Sequence, residues 1–102
     1  MKFSSQIDGQ TGTIRLEGRF TFDSHPAFKS CTQSILQARE LKRVVLDMAG
    51  VEYMDASSLG AILLLREATE ARFMAIALLR PSATVLRLLK LVQFEKLFEI
   101  VS

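Results

Sequence analysis

The chain has 102 residues, of which 49% are hydrophobic and 24% charged, a composition typical of a folded globular domain and not of a disordered segment. Its 13 basic and 11 acidic residues leave a net charge of +2. Because the two signs are interspersed, they form no basic surface that would indicate nucleic-acid binding. The chain has one cysteine, Cys31, so it forms no internal disulfide. The longest apolar run, Ala61–Leu65, is too short to cross a bilayer, and the first residues lack the apolar core of a signal peptide. We therefore expect one cytoplasmic domain, residues 1–102, that neither binds nucleic acid nor inserts into a membrane.

The first half of the chain predicts a β-hairpin followed by a helix. Phe3–Ile7 and Thr13–Glu17 have the short apolar patterns of strands and flank a glycine-containing turn. Gly18 is expected to end the second strand. A helix is predicted over about Ser24–Arg39, where apolar residues recur at helical spacing. Its first residue is expected to cap it, and Pro26 is tolerated in the first turn because the N–H that proline lacks would have no partner there.

The second half of the chain alternates strands and helices. The predicted elements are a strand at Lys42–Met48, a loop at Ala49–Asp55, a helix at Leu59–Ala71, a strand at Phe73–Leu79, a helix capped by Ser82 and a short strand at Phe98–Val101. The complete order is β-β-α-β-α-β-α-(β). This order predicts an α/β fold in which helices pack on a mixed sheet of four or five strands.

Side chains suited to enzymatic chemistry are scarce. His25 is the only histidine, no cysteine or histidine stands at metal-ligand spacing from it, and the five glycines form no phosphate-binding loop. A Ser-His-Asp device would require this histidine to meet a serine through folding, and no pattern in the sequence indicates that it does. Among the carboxylates, Asp47 and Asp55 attract attention because they bracket the predicted loop after the third strand. We therefore expect no catalytic residue, no metal site and no cofactor.

Ser57 and Ser58 stand where the second long helix is expected to begin. Backbone N–H groups at a helix start have no partner within the helix, and the helix dipole is positive there. A phosphate on either hydroxyl would be held by the helix it caps and would add about two negative charges to the surface. The neighbouring Asp55 would repel that phosphate, so the position can act as a charge switch on an interface. The alternative is that one of the two serines simply caps the helix.

The stretch Val44–Gly60 resembles the signature of the STAS domain family, whose fold is that of bacterial anti-sigma factor antagonists. The family pattern is an apolar strand, an Asp, a turn containing Val, and then Asp-Ser-Ser/Thr-Gly-Leu-Gly at the start of a helix. This chain has Asp55-Ala56-Ser57-Ser58-Leu59-Gly60 at that point. The resemblance extends over essentially all 102 residues, including Gly18 after the second strand and Pro81-Ser82 before the third helix. It implies a STAS-like domain that regulates another protein by binding it.

Two positions depart from the family pattern. The serine that family members phosphorylate follows the Asp directly, and here that position is Ala56, which has no hydroxyl. Three outcomes stay open: Ser57 takes the phosphate, with Ser58 the less favoured residue; the domain stays permanently in its unmodified, binding-competent form; or it belongs to a branch that does not use phosphorylation. The family also often places an Asp three residues after the glycine. Here Thr21 stands at that position, and Asp23 is the candidate substitute.

The helix Leu59–Ala71 carries apolar residues on more than one side. On a helical wheel one group is expected to meet the sheet, namely Ala61, Leu64, Leu65 and Ala68. The other apolar residues fall nearer the charged side, namely Leu59, Ile62 and Leu63. We expect this second group to be partly exposed and to anchor a partner beside Ser57. The alternative is that the first helix or the loop at Phe20–Phe22 buries it.

These observations predict a protein-binding switch and not an enzyme. The residues expected to contact the partner are Thr21, Asp23, Asp55, Ala56, Ser57, Ser58, Leu59, Ile62 and Leu63. The resemblance implies an anti-sigma factor antagonist that captures an anti-sigma factor with a serine kinase fold, acting as a monomer or weak dimer. The alternative within the family is a regulatory subunit of another complex, such as an ABC-type lipid transporter. A small enzyme is a third hypothesis, supported only by the α/β order, which does not imply activity.

Overall fold

The computed structural model describes all 102 residues, Met1–Ser102, and contains five strands and three α-helices. In chain order they are β1 (Lys2–Asp8), β2 (Thr11–Phe20), α1 (His25–Ile35), β3 (Arg43–Met54), α2 (Ala56–Ala71), β4 (Ala75–Leu79), α3 (Ala83–Leu91) and β5 (Glu99–Val101). Short 3₁₀ turns at Phe22–Ser24 and Phe94–Lys96 precede α1 and β5. This order confirms the predicted α/β class. No helix is both long enough and apolar enough to span a membrane.

The five strands form one sheet in the order β1-β2-β3-β4-β5. β1 pairs with β2 as an antiparallel hairpin, whereas β2, β3, β4 and β5 are parallel to one another. Each of the helices α1, α2 and α3 connects one parallel strand to the next strand in the same direction across the sheet. Because such crossovers are right-handed, all three helices lie on one face of the sheet. The core cluster has 20 buried residues, among them Ile14, Leu46 and Leu78. The carboxyl ends of β2 and β3 meet at one edge of the sheet, where Phe20 pairs with Met54, and α1 and α2 begin just beyond.

The predicted loop at Ala49–Asp55 is wrong, because β3 continues to Met54 with β2 beside it. Gly50 pairs with Glu17, and a Cβ on Gly50 would come within 2.9 Å of the Glu17 side chain, so the two strands approach too closely there for a larger residue. Gly18 has a φ of 104° and lies at a shift in the register of the strands. It therefore bends β2 where the sequence predicted that it ends the strand.

α1 is shorter than predicted, since it ends at Ile35 and not near Arg39. The chain turns after Ile35 and brings both Leu36 and Leu41 into the core, where they are 7% and 4% exposed. A continuous helix would point these two side chains in different directions, because residues five apart do not share a helix face. Packing of Leu41 therefore outweighs the helical pattern of the segment before it.

One of the two predicted serine caps is confirmed. The Val85 N–H donates to the Ser82 hydroxyl at 3.2 Å, as expected for the start of α3. Ser24 occupies the N-cap position of α1, but its hydroxyl makes no cap bond and donates instead to the Arg19 carbonyl oxygen at 3.3 Å. The hydroxyl of Ser24 thus joins α1 to the end of β2.

The boundary between α2 and β4 also differs from the prediction, because β4 begins at Ala75 and not at Phe73. Phe73 has a left-handed conformation with a φ of 58°, and its side chain is 94% exposed. A left-handed residue just after a helix ends it and releases the chain into the next element. Phe73 therefore belongs to the turn and contributes nothing to the core.

Asp47 is a structural residue within β3. Its carboxylate accepts a hydrogen bond from the Ala49 N–H at 3.1 Å and pairs with the Arg80 guanidinium at 2.9 Å. The side chain is nearly inaccessible, so these partners satisfy a carboxylate that would be costly to bury alone. Of the two aspartates that attracted attention in the sequence, only Asp55 lies at the start of α2.

Candidate functional site

The start of α2 is organised around the Asp55 carboxylate, which occupies the N-cap position. Oδ1 accepts hydrogen bonds from the Ser57 hydroxyl at 2.7 Å and from the Ser58 N–H at 2.9 Å. Oδ2 accepts from the Phe22 N–H at 3.0 Å. One side chain therefore ties the loop after β2 to the beginning of α2. A carboxylate at this position also interacts favourably with the positive end of the helix dipole.

These hydrogen bonds favour the charged form of Asp55. The bond from the Ser57 hydroxyl has the largest influence, and together with the bonds from Ser58 and the Phe22 N–H it lowers the pKa of Asp55 to about 2. The carboxylate is therefore ionised throughout the neutral range of pH. A negative charge thus stands beside Ser57 before any modification takes place.

The two serines at the start of α2 have different surroundings. Ser57 is exposed, and its hydroxyl donates to Asp55. Ser58 is 0% exposed, and its hydroxyl oxygen lies 2.8 Å from both the Phe20 carbonyl oxygen and Asp55 Oδ1. Of the two hydroxyls, only that of Ser57 is open to solvent, while that of Ser58 joins α2 to the end of β2.

His25 meets Ser58, a contact that no sequence pattern indicated. Its Nε2 atom lies 3.0 Å from the Ser58 hydroxyl oxygen. Since that hydroxyl has one hydrogen and two oxygen acceptors, the His25 Nε2–H donates in this contact. In a catalytic triad the histidine accepts the serine proton and the aspartate bonds to the histidine. Here Asp55 bonds to a buried serine directly, so the three side chains fix the position of the helix start.

The predicted partner-contact residues fall into an exposed and a buried group. The exposed or half-buried residues are Thr21, Asp23, Asp55, Ala56, Ser57 and Leu63, and the buried residues are Ser58, Leu59 and Ile62. The expected exposure of Leu59 and Ile62 is wrong, because their side chains are 8% and 0% exposed and belong to the core cluster. Neither residue presents a surface to a partner.

α2 turns a different side to the sheet from the side that the helical wheel indicated. Its buried residues recur about once per turn, at Ser58, Ile62, Leu65 and Thr69. Leu64, which was expected to meet the sheet, is 66% exposed. The apolar surface of α2 near Ser57 therefore exists, but it is formed by Leu64 and not by Ile62.

An apolar groove of about 680 Å³ lies between α1 and α2, and Ser57 is one of its 13 lining residues. The residues of α1 that line it include Phe28 and Thr32, and Leu36 lines it just after the end of α1. Those of α2 include Gly60, Ala61, Leu64 and Ala68. Phe22, from the loop that Asp55 holds, also lines it and is 72% exposed. We call this feature the α1–α2 groove. No sequence pattern predicted this groove, although a phenylalanine in a polar loop was one available signal.

Ser58→Ala is expected to lower the free energy of unfolding by about 1–3 kcal/mol, because it leaves the His25 Nε2–H without its acceptor in a partly buried place. Ser57→Ala is the matched control, and since Ser57 is exposed its effect should stay within about 0.5 kcal/mol. Urea denaturation of the two variants measures the difference. An equal loss in both would show that the Ser58 hydroxyl does not hold the start of α2.

The sequence of the chain matches a known family over nearly its whole length. The model of the STAS domain family matches residues 2–102. A STAS-domain containing protein of Pseudomonas aeruginosa strain UCBPP-PA14 is 37% identical over 93 residues, which is 91% of this chain and 90% of that protein. The resemblance carried by the Val44–Gly60 stretch thus extends beyond its short motif.

Solved structures share the fold. The anti-sigma factor antagonist SpoIIAA in its unphosphorylated form is 20% identical, with a TM-score of 0.75 over 99% of this chain and 87% of that chain. The phosphorylated form of SpoIIAA, from Bacillus, is 18% identical, with a TM-score of 0.75 over 99% and 92%. A sulfate transporter family protein from Wolinella succinogenes is 19% identical, with a TM-score of 0.80 over 94% and 80%. At these identities the structures establish a common fold and not a common partner. With the family match over residues 2–102, they show that this chain belongs to the STAS domain family.

Proposed function

We propose that this chain is an anti-sigma factor antagonist, which captures an anti-sigma factor with a serine kinase fold and is switched by phosphorylation of Ser57. The observation that carries the proposal is the exposed Ser57 hydroxyl at the positive end of α2, which donates to Asp55. The same carboxylate accepts a hydrogen bond from Phe22 in the neighbouring surface loop. The fold shared with an antagonist that is known in phosphorylated and unphosphorylated forms supports it.

The surroundings of the three candidate positions favour Ser57 as the phosphate acceptor. Ala56 has no hydroxyl, and Ser58 is buried with its hydroxyl engaged by Phe20 and Asp55. A kinase would have to break the start of α2 to reach Ser58. Ser57 needs only a rotation of its side chain away from Asp55.

Phosphorylation would change the charge of the surface that meets the partner. In the proposed contact surface Asp23, Ala56 and Ser57 are exposed, and Thr21, Asp55 and Leu63 are half-buried. Two of them are already acidic, so a phosphate of about two further negative charges makes this surface strongly negative. After the kinase has phosphorylated the antagonist, we expect the two proteins to separate. Negative charge on the partner's side of the interface would then face the phosphate, and like charges across an interface oppose binding.

The test is incubation of the chain with ATP and a purified kinase-type anti-sigma factor, followed by mass spectrometry. We expect phosphate on Ser57 of the wild type and none on Ser57→Ala. Ala56→Ser restores a hydroxyl at the usual family position and is the positive control for kinase activity. If Ala56→Ser gains phosphate at residue 56 and the wild type gains none, the chain is permanently in its unmodified form and the proposed switch is wrong.

A regulatory subunit of a transporter is the second candidate. The fold shared with a sulfate transporter family protein and the alanine at the usual phosphorylation position both favour it. Co-purification from the native cell separates the two functions. A soluble partner with a kinase fold supports the antagonist, whereas a membrane-associated ATPase that binds the unmodified chain supports the transporter subunit.

A further inference from the structure

The α1–α2 groove has the dimensions of a docking site for a helix. At about 1.5 Å per residue, the part of α2 from Ser57 to Ala68 is about 17 Å long, which matches roughly three turns of a partner helix. The α2 side of the groove has small residues at Gly60, Ala61 and Ala68. Small side chains allow a second backbone to approach closely, as helix packing requires.

The charge of the groove indicates what the partner carries. Lys29 is the only charged residue among the 13 that line it, and His25 is the only other ionisable one. Lys29 forms no ion pair within the chain, whose four ion pairs involve other residues. No carboxylate lines the groove. An apolar surface with one unpaired positive charge is complementary to an apolar helix face with an acidic residue.

The openness of the groove favours a helix over a small ligand. Phe22 and Leu64 line it, yet they are 72% and 66% exposed. A site for a small molecule usually encloses most of its ligand, whereas these two side chains extend into solvent. Large apolar residues that stand exposed along a groove are suited to contact the apolar stripe of a partner helix.

We propose that the α1–α2 groove binds an amphipathic helix of the partner protein, with an Asp or Glu of that helix paired with Lys29. This inference rests on the proposed function for the existence of a protein partner, and it adds the chemistry of the docking segment. It also specifies the charged groups on which a phosphate at Ser57 would act. Ser57 and Lys29 line the same groove, so a phosphate on Ser57 repels the acidic residue of the partner and competes with it for Lys29.

The test is selection of peptides of about twelve residues, the length that spans the groove, from a random display library against the whole chain. We expect enriched peptides to combine apolar residues at helical spacing with at least one Asp or Glu. A synthetic peptide of this pattern should bind at least about tenfold more weakly to Leu64→Glu. The matched control is Leu91→Glu, because Leu91 is 79% exposed on α3 and lies outside the groove. It should bind the peptide as the wild type does.

Two further variants test the charge and the shape of the groove. Lys29→Glu should reverse the preference, so that the peptide with Lys in place of its acidic residue binds better. Gly60→Leu should block binding without unfolding the chain, since a Cβ on Gly60 meets no atom within 4 Å. The proposal is overturned if no peptide is enriched, if Leu64→Glu binds as the wild type does, or if dodecanoate binds the groove in preference to every peptide.

The outcomes separate this inference from the proposed switch. A chain that binds peptide in the groove but accepts no phosphate retains the docking site and refutes the switch. A chain that is phosphorylated on Ser57 but binds no peptide refutes the docking site alone.

Discussion

Ile62→Glu is expected to unfold the protein, and Ile62→Ala to destabilise it by about 2–5 kcal/mol. Ile62 is 0% exposed in the core between α2 and the sheet. A glutamate there loses the apolar contacts and places a carboxylate where no partner is available, which costs several kcal/mol more. A domain of this size has a total stability of about 5–15 kcal/mol, so the two losses together approach or exceed it.

Leu64→Glu is the matched control, since Leu64 lies two residues further along α2 and is 66% exposed. Its circular dichroism spectrum and melting temperature should be close to those of the wild type. The spectrum of Ile62→Glu should instead be that of an unfolded chain at room temperature. A folded Ile62→Glu with a normal melting temperature would mean that this side of α2 faces solvent and that its assigned orientation is wrong.

The contrast between these two residues shows what the sequence could not determine. The segment Leu59–Leu65 contains no charged or polar side chain, so apolar periodicity indicates a helix but leaves its rotation undetermined. The rotation of α2 about its axis depends on a long-range hydrogen bond, which joins the Ser58 hydroxyl to the Phe20 carbonyl oxygen 38 residues away. Once Ser58 points inward, Ile62 and Leu65, which lie about one and two turns further along the helix, must do so as well.

The end of β3 could not be predicted from the sequence for a similar reason. The segment after Met48 has a glycine and two consecutive exposed residues, Glu52 and Tyr53, and this pattern is typical of a loop. It extends β3 only because β2 continues beside it through a bend at Gly18. The order of strands and helices follows from local patterns, whereas the length of a strand depends on its neighbour in the sheet.

The candidate site was predicted in part. Local capping chemistry pointed to Ser57 and Ser58, and Asp55 was singled out because it ends the predicted loop. The three residues lie together at the start of α2, but the N-cap is Asp55 and not one of the serines. The contribution of His25 and Phe22 was not predictable from spacing, because each contacts this corner across 33 residues of chain. Their positions depend on the carboxyl ends of β2 and β3 lying side by side, which is a property of the sheet topology.

Ser57→Asp is expected to weaken binding of a purified anti-sigma factor by at least about tenfold, and phosphorylation of Ser57 by about a hundredfold, equivalent to about 2.7 kcal/mol. The Ser57 hydroxyl donates to Asp55 and has the largest influence in lowering the pKa of that carboxylate. An acidic group at residue 57 removes the donor and places a like charge beside the carboxylate. Isothermal titration calorimetry of the wild type, the variant and the phosphorylated chain measures the effect.

An acidic group at residue 57 should also affect the loop after β2, because Oδ2 of Asp55 accepts a hydrogen bond from the Phe22 N–H. Repulsion from residue 57 moves the carboxylate away from this bond, so the position of Phe22 in the α1–α2 groove should change as well, visible as an altered amide signal of Phe22 in NMR spectra. Ser57→Asn is the neutral control of similar size, and it should bind the anti-sigma factor as the wild type does. Equal weakening by Asn and Asp would assign the effect to shape. If charge is the cause, the difference in affinity between Ser57→Asp and Ser57→Asn must shrink as salt is added, since dissolved ions screen interactions between exposed charges.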